Sequence, residues 1–156
     1  MANAPERREL SFKNLDEVVA EAERLADGEV RTTGNHSFGQ ILEHLAITHD
    51  MTTGRIKAPA PPWYMRLFIM IMKPVLIKDR PIKPGFKLPA DAERVFWPNR
   101  EFAVNEALSH LKESVEHYKS KGPLPKHPMF GNLSREQNDR MNCRHAELHL
   151  GFVHPA

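Results

Sequence analysis

A single cysteine among 156 residues, Cys143, cannot close an internal disulfide. A cystine-stapled scaffold is therefore excluded, and a reducing, cytoplasmic setting is the expectation. Long apolar runs are also missing. The longest candidate, Trp63–Ile77, is broken by Arg66, Lys73 and Pro74, and it falls short of the roughly 18 to 20 clean residues that a bilayer span requires. The opening, Met1–Leu10, is polar and charged and lacks the apolar core of a secretory signal. Neither sign of charge dominates: 22 basic residues face 20 acidic ones, a net charge of +2, too balanced for a nucleic-acid footprint. There is no glycine-rich phosphate loop, no CxxC pair and no Ser, His and Asp arrangement. What remains is one domain, residues 1–156, of a size that buries roughly two-thirds of its unfolded surface without staples. Histidine, with nine residues, is the functional type in excess.

Periodicity and capping predict helices. Leu15, Val18, Val19, Ala22, Leu25 and Ala26 follow helical spacing behind Asn14 and Glu17, a capping-box pair. A second helix opens at Ser37, with Gln40 three residues on, and runs to Gly54 behind the stripe Phe38, Ile41, Leu42, Leu45 and His49. Trp63–Ile77 reads as a buried or half-buried helix, with a subunit interface, as in a homodimer, or an interfacial membrane anchor as the alternatives. Pro81, Pro84 and Pro89 mark an extended connector after it. The next helix starts near Asn99, carries Val104, Leu108, Leu111, Val115 and Tyr118 in steps of four and three, and stops at Gly122 and Pro123. The last opens with the capping pair Ser134 and Gln137 and reaches about Phe152. No alternating strand is convincing. The expected fold is all-α, an up-down four-helix bundle with an additional helix inserted between the second and third main ones.

His145 and His149 are four apart on the last helix, the spacing at which one helix can present two imidazoles to one metal ion. On the reading of a face shared with Met141, Leu148 and Phe152, both point toward the core. A third ligand has two candidates on the second helix. His49 lies within the apolar stripe and His44 about 100° to its side, so periodicity favours His49 slightly and leaves the choice open. Gln40 and Asn142, each a turn before a histidine, are candidates to orient a ligand or contact a substrate, as is His49; a capping or solvent-facing role is the alternative. Cys143 reads as a small packed residue, His127 as a turn stabiliser, and His110, His117 and His154 as surface or terminal groups.

Three strings, SFGQILEHLA (Ser37–Ala46), HPMFGNLSREQ (His127–Gln137) and RHAELHLGF (Arg144–Phe152), resemble the DinB-like superfamily of metal-dependent proteins. More narrowly they resemble an uncharacterised branch in which an HPxFGxLS turn leads into the last helix. The resemblance extends from Arg7 to Phe152 and is weakest over residues 57–94. It implies a four-helix bundle holding a divalent ion on His44, His145 and His149, and so overrules the preference for His49. Two departures are visible: Leu148 stands where the branch commonly has a histidine, and His36 where it has a tryptophan. Three imidazoles leave open positions on a metal, the geometry of catalysis rather than structure, and zinc or nickel suits an all-nitrogen set. The resemblance implies a metal-dependent enzyme acting on a small molecule by nucleophilic chemistry, with S-transfer to or from a low-molecular-weight thiol, or a related lyase or hydrolase step, as the expectation. The alternative is a non-catalytic bundle that binds an apolar ligand or a protein partner through Trp63–Ile77.

Overall fold

Capping side chains decide where three of the helices begin, and a computed structural model describes residues 5–156 of the chain. The first four residues of the polar opening, Met1–Ala4, lie outside the described residues. Helix α1 (Leu15–Ala26) starts on Asn14, whose side chain accepts from the Glu17 amide at 3.0 Å. Glu17 reaches back one residue further than a capping box requires, to the amide of Lys13. Helices α2 (Phe38–Thr53) and, near the end of the chain, Arg135–Leu150 carry complete boxes: Ser37 with Gln40 and Ser134 with Gln137. Each reciprocal pair satisfies two amides that the first helical turn leaves unpaired.

Between these lie α3 (Trp63–Leu76), α4 (Ala90–Phe96) and α5 (Val104–Lys121); Arg135–Leu150 is then α6. The connector expected to be extended contains α4, which begins directly after Pro89, where a proline at the helix start costs no hydrogen bond. Helix α5 begins five residues later than expected, because residues 99–103 run non-helically across the start of α2. The absence of strands is also corrected. β1 (Val30–Thr32) pairs antiparallel with β2 (Val153–Pro155), Arg31 opposite His154, and this ends α6 at Leu150 rather than Phe152. Three residues are too few for alternation to register.

The structure is mostly helical, with α1, α2, α5 and α6 contributing one core. Val18 and Ala22, Leu42 and Leu45, Leu111 and Val115, and Ala146 and Leu150 meet there, all essentially sealed from solvent. Among the described residues no helix is long and apolar enough to cross a membrane. Helix α2 is the central element and packs most extensively on α5. Its first turn lies so close to the 99–103 segment that a Cβ on Gly39 would stand 2.0 Å from the Phe102 carbonyl oxygen. On the other side of the α2–α5 contact, His110 sits between two carboxylates of α2: Nδ1 is 3.0 Å from Glu43 and Nε2 is 2.8 Å from Asp50. Burial opposes its charged form, but the hydrogen bonds to Glu43 and Asp50 outweigh burial and raise its pKa above 6.5. His110 is thus no surface bystander but a bridge between the two helices.

Two outcomes follow. Gly39→Ala should cost about 1–3 kcal/mol by overpacking, a fall in Tm of roughly 3–10 °C, whereas Gly28→Ala, where nothing lies within 4 Å, should move Tm by no more than about 2 °C. Because the folded pKa of His110 is raised, its stabilisation is complete below the unfolded value and is lost as pH rises through the folded one. The Tm gap between the native protein and His110→Gln should therefore be largest near about pH 6 and narrow on alkalinisation; a gap independent of pH would refute the charged bridge.

Candidate metal centre

Beside the arc that enters the core, helix α6 carries Asn138, Asn142, His145 and His149, a polar seam in steps of four, three and four. Bundles ordinarily fill that spacing with aliphatic residues. Met141, Leu148 and Phe152, expected on the same face, are half-buried like the two histidines, and the apolar core contact of α6 is made on the adjoining arc by Cys143, Ala146 and Leu150. Facing this seam, α2 contributes His44. Its Nε2 lies 3.1 Å from His145 Nε2, and His149 Nε2 lies 3.0 Å from the same atom. All three ligand nitrogens fall within 4.8 Å of one another.

A backbone carbonyl sets the form of the first ligand. His44 Nδ1 donates to the Phe96 oxygen at 2.8 Å, so in the neutral ring Nε2 bears the lone pair that faces the other two. Burial depresses the pKa of all three rings, and repulsion from a neighbouring histidine adds to it, His145 acting on His44 and His149 and His49 acting on His145; His145 is pushed to about 4 and the other two well below their ordinary value. The cluster is neutral at pH 7, and no proton need leave before a cation binds. Hydrogen bonding alone does not account for the geometry. One imidazole nitrogen holds either a proton or a lone pair, so His145 Nε2 can serve one neighbour well and not both. A divalent ion would satisfy three lone pairs together, and tetrahedral Zn–N bonds of about 2.0–2.1 Å put nitrogens about 3.3 Å apart, close to the two short edges here.

Trp97, which no reading of the sequence singled out, covers the site. It stacks on His44 with ring centroids 3.7 Å apart and planes 7° from parallel, and His36 stacks on its other face at 3.7 Å and 9°. Its edge meets His149 at 5.1 Å. The imidazole that the resemblance marked as a departure, His36, is therefore the outer layer of a three-ring stack whose inner layer is a ligand. The signal that was available is the apolar run Val95–Trp97 before Pro98, between charged residues. Phe96 also walls an apolar cleft of about 350 Å³ between α3 and α4, shared with Met65, Leu88 and Met129.

The remaining candidates separate. His49 is fully buried, but it donates from Nδ1 to Leu45 at 2.7 Å and lies edge-on to Tyr118, outside the three-histidine cluster; its Nε2 has no hydrogen-bond partner. Gln40 is no part of the site: its Oε1 closes the cap and its Nε2 donates to the Arg100 carbonyl. Asn142 lies one turn before His145 on α6, its Nδ2 buried and without a hydrogen-bond partner. Cys143 is buried in the core, where burial raises its pKa to about 11 and keeps the thiol protonated. His127 accepts the amides of Met129 and Phe130 and so holds its turn. His154, expected at the surface, is buried in β2 beside Thr33 and the Glu6 carbonyl.

Comparison with known proteins finds no match among curated proteins and none among solved structures. One family model does match, over residues 4–156, and its description is "Protein of unknown function (DUF1569)". With nearly the whole chain covered, the protein belongs to the DUF1569 family.

Proposed function

We propose that this chain is a DinB-like four-helix bundle that holds a divalent ion, zinc or nickel, on His44, His145 and His149, and uses it for nucleophilic chemistry on a small molecule. The observation that carries the reading is the convergence of three neutral imidazole nitrogens on one point, 3.0 and 3.1 Å apart on two edges. The inserted helix of the expected bundle corresponds to α3, with α4 following it. The all-nitrogen donor set supports zinc or nickel over iron or manganese, which favour carboxylate partners.

When bound, such an ion lowers the pKa of a coordinated water or thiol toward neutrality and so supplies a nucleophile at pH 7. The chain's own groups serve that chemistry in separate ways. The Phe96 carbonyl holds His44 in the ligating tautomer. Trp97 excludes water from one side of the His44 ring and fixes its orientation. Asn142 Nδ2, a buried donor on the seam that carries both α6 ligands, supplies a hydrogen bond to the incoming molecule. The resemblance to DinB-like proteins supports a low-molecular-weight thiol as that molecule and S-transfer as the reaction. The buried, protonated Cys143 is not a competitor for the role of nucleophile.

Protein prepared without a histidine tag should contain about one divalent ion per chain by elemental analysis. His145→Ala, which removes the nitrogen both neighbours face, should weaken binding by more than about 100-fold. Metal at about 100 times its Kd should add about 2.7 kcal/mol and raise Tm by roughly 5–10 °C, an increment that each of the three alanine variants loses. Ion-free protein whose Tm ignores added zinc and nickel would sink the metal reading. Thiol S-transfer is tested separately, by loss of free thiol in the presence of an electrophilic acceptor; a metal-loaded protein inert in that assay retains the site and loses the reaction.

A further inference from the structure

Helix α3 and the segment after it stand apart from the metal centre and pose a different question. Only Met65 and Ile69 of α3 are buried, and they mark its inward stripe. The opposite side is apolar as well. Tyr64, Phe68, Ile71 and Val75 form one outward stripe in steps of four, three and four, with Trp63, Leu67 and Met70 on the stripe beside it. Trp63 is 76% exposed, Met70 65% and Ile71 64%. Ten residues beyond the helix, Phe86 adds another exposed ring and stacks on Phe68 at 5.7 Å. Contiguous exposed apolar surface of this kind marks an interaction site.

The charge around this face identifies the partner. Residues 57–88 contain seven basic residues and one acidic residue, Asp79, leaving 15 basic and 19 acidic residues in the rest of the chain. The small net charge of the whole protein therefore hides a strongly basic segment on a net-acidic body. Asp79 is itself engaged with Arg144 at 3.7 Å. Lys78, Arg80, Lys83 and Lys87 are exposed, and among the described residues none of them has an ion-pair partner. A symmetric pairing of two copies through this face would bring two basic segments together, which like-charge repulsion opposes. An anionic bilayer surface accepts both features at once, the apolar stripes at the depth of the acyl boundary and the lysines among the headgroups.

We infer that α3, with the basic segment that follows it, is an interfacial docking surface for anionic membranes, on which the helix lies in the plane of the bilayer and does not span it. Trp63 and Tyr64 at one end of the helix are the residue types that settle at the headgroup level. The docked segment is tied to the body at three points: Lys73 donates to the Asn132 carbonyl at 2.8 Å, Asp79 pairs with Arg144, and Arg7 donates to the Ile82 carbonyl at 3.3 Å. Docking therefore needs no unfolding of the bundle.

The test is co-sedimentation of the full chain with vesicles of phosphatidylcholine alone and of phosphatidylcholine mixed with phosphatidylglycerol, at low and high salt. Binding is expected to the anionic vesicles, to weaken with salt, and to shift tryptophan emission to the blue; Trp63→Phe should abolish the shift. The double reversal Lys83→Glu with Lys87→Glu should weaken binding by about tenfold or more, and Leu67→Ser with Ile71→Ser should abolish it while leaving the far-ultraviolet dichroism unchanged. No binding to anionic vesicles at low salt overturns the inference, as does binding indifferent to the Leu67 and Ile71 changes. A dimer formed without lipid and dissolved by Ile71→Ser, in protein that ignores vesicles, assigns the face to a second copy and overturns it equally.

Discussion

The polar seam of α6 is the constraint from which the rest of the architecture follows. Only Cys143, Ala146 and Leu150 of α6 enter the apolar core, the arc beside them carries Asn138, Asn142, His145 and His149, and an unpartnered buried donor such as Asn142 Nδ2 costs about 1–3 kcal/mol. The chain compensates with hydrogen bonds from its own beginning. The Phe12 amide donates to buried Glu147 at 2.6 Å, and Arg144 returns a bond to the Phe12 carbonyl at 2.6 Å. Arg8 reaches the carbonyls of Leu150 and Val153, and its own amide donates to Gly151 at 2.7 Å. Charge-assisted bonds to the last carbonyls of a helix satisfy groups that would otherwise stay unpaired. The segment before α1 is thus a clasp that keeps α6, and with it two of the three imidazoles, in register.

The third imidazole depends on a different part of the chain. His44 is delivered by the central helix, buried on nearly all sides, but its tautomer is set by Phe96 and its ring plane by Trp97, both at the end of α4. Helix α4 is seven residues long and has no side-chain cap. Its position comes instead from Phe96, which packs with Ile47 and Met51 of α2 in a small apolar cluster separate from the main core. The site is therefore assembled from three directions, and its cover, Trp97, packs against both the main core and the smaller cluster.

These dependencies explain which parts were legible in the sequence. Ser37 with Gln40 and Ser134 with Gln137 announce two helices because a capping box is a local, reciprocal chemistry. The pair His145 and His149 was legible for the same reason, as a spacing within one helix. The choice between His44 and His49 was not, because stripe analysis presumes a solvent face, and α2 buries both residues. Gln40 illustrates the converse: its cap was readable, and its remaining donor goes to Arg100, sixty residues on, a partner that no periodicity reveals. The Trp97 stack, the β1–β2 pairing across more than 120 residues and the His110 bridge are long-range contacts of single residues or of three-residue strands. Local pattern contains no information about them.

The separation between core and seam bears on what kind of metal site three such histidines can form. A structural zinc is usually the reason a small domain folds, with four protein ligands and no position left open. Here the main core unites α1, α2, α5 and α6 through largely apolar residues, and a chain of this size can fold on such a core. One arc of α6 carries His145 and His149, which meet His44 of α2, and Asn142, whose buried Nδ2 has no partner. Polar groups placed where a bundle ordinarily carries aliphatic residues are a departure from local consistency of the kind found at functional sites. Three histidines at this separation are geometrically able to hold a metal ion, and a set of three protein ligands, unlike the four of a structural zinc, leaves a coordination position open.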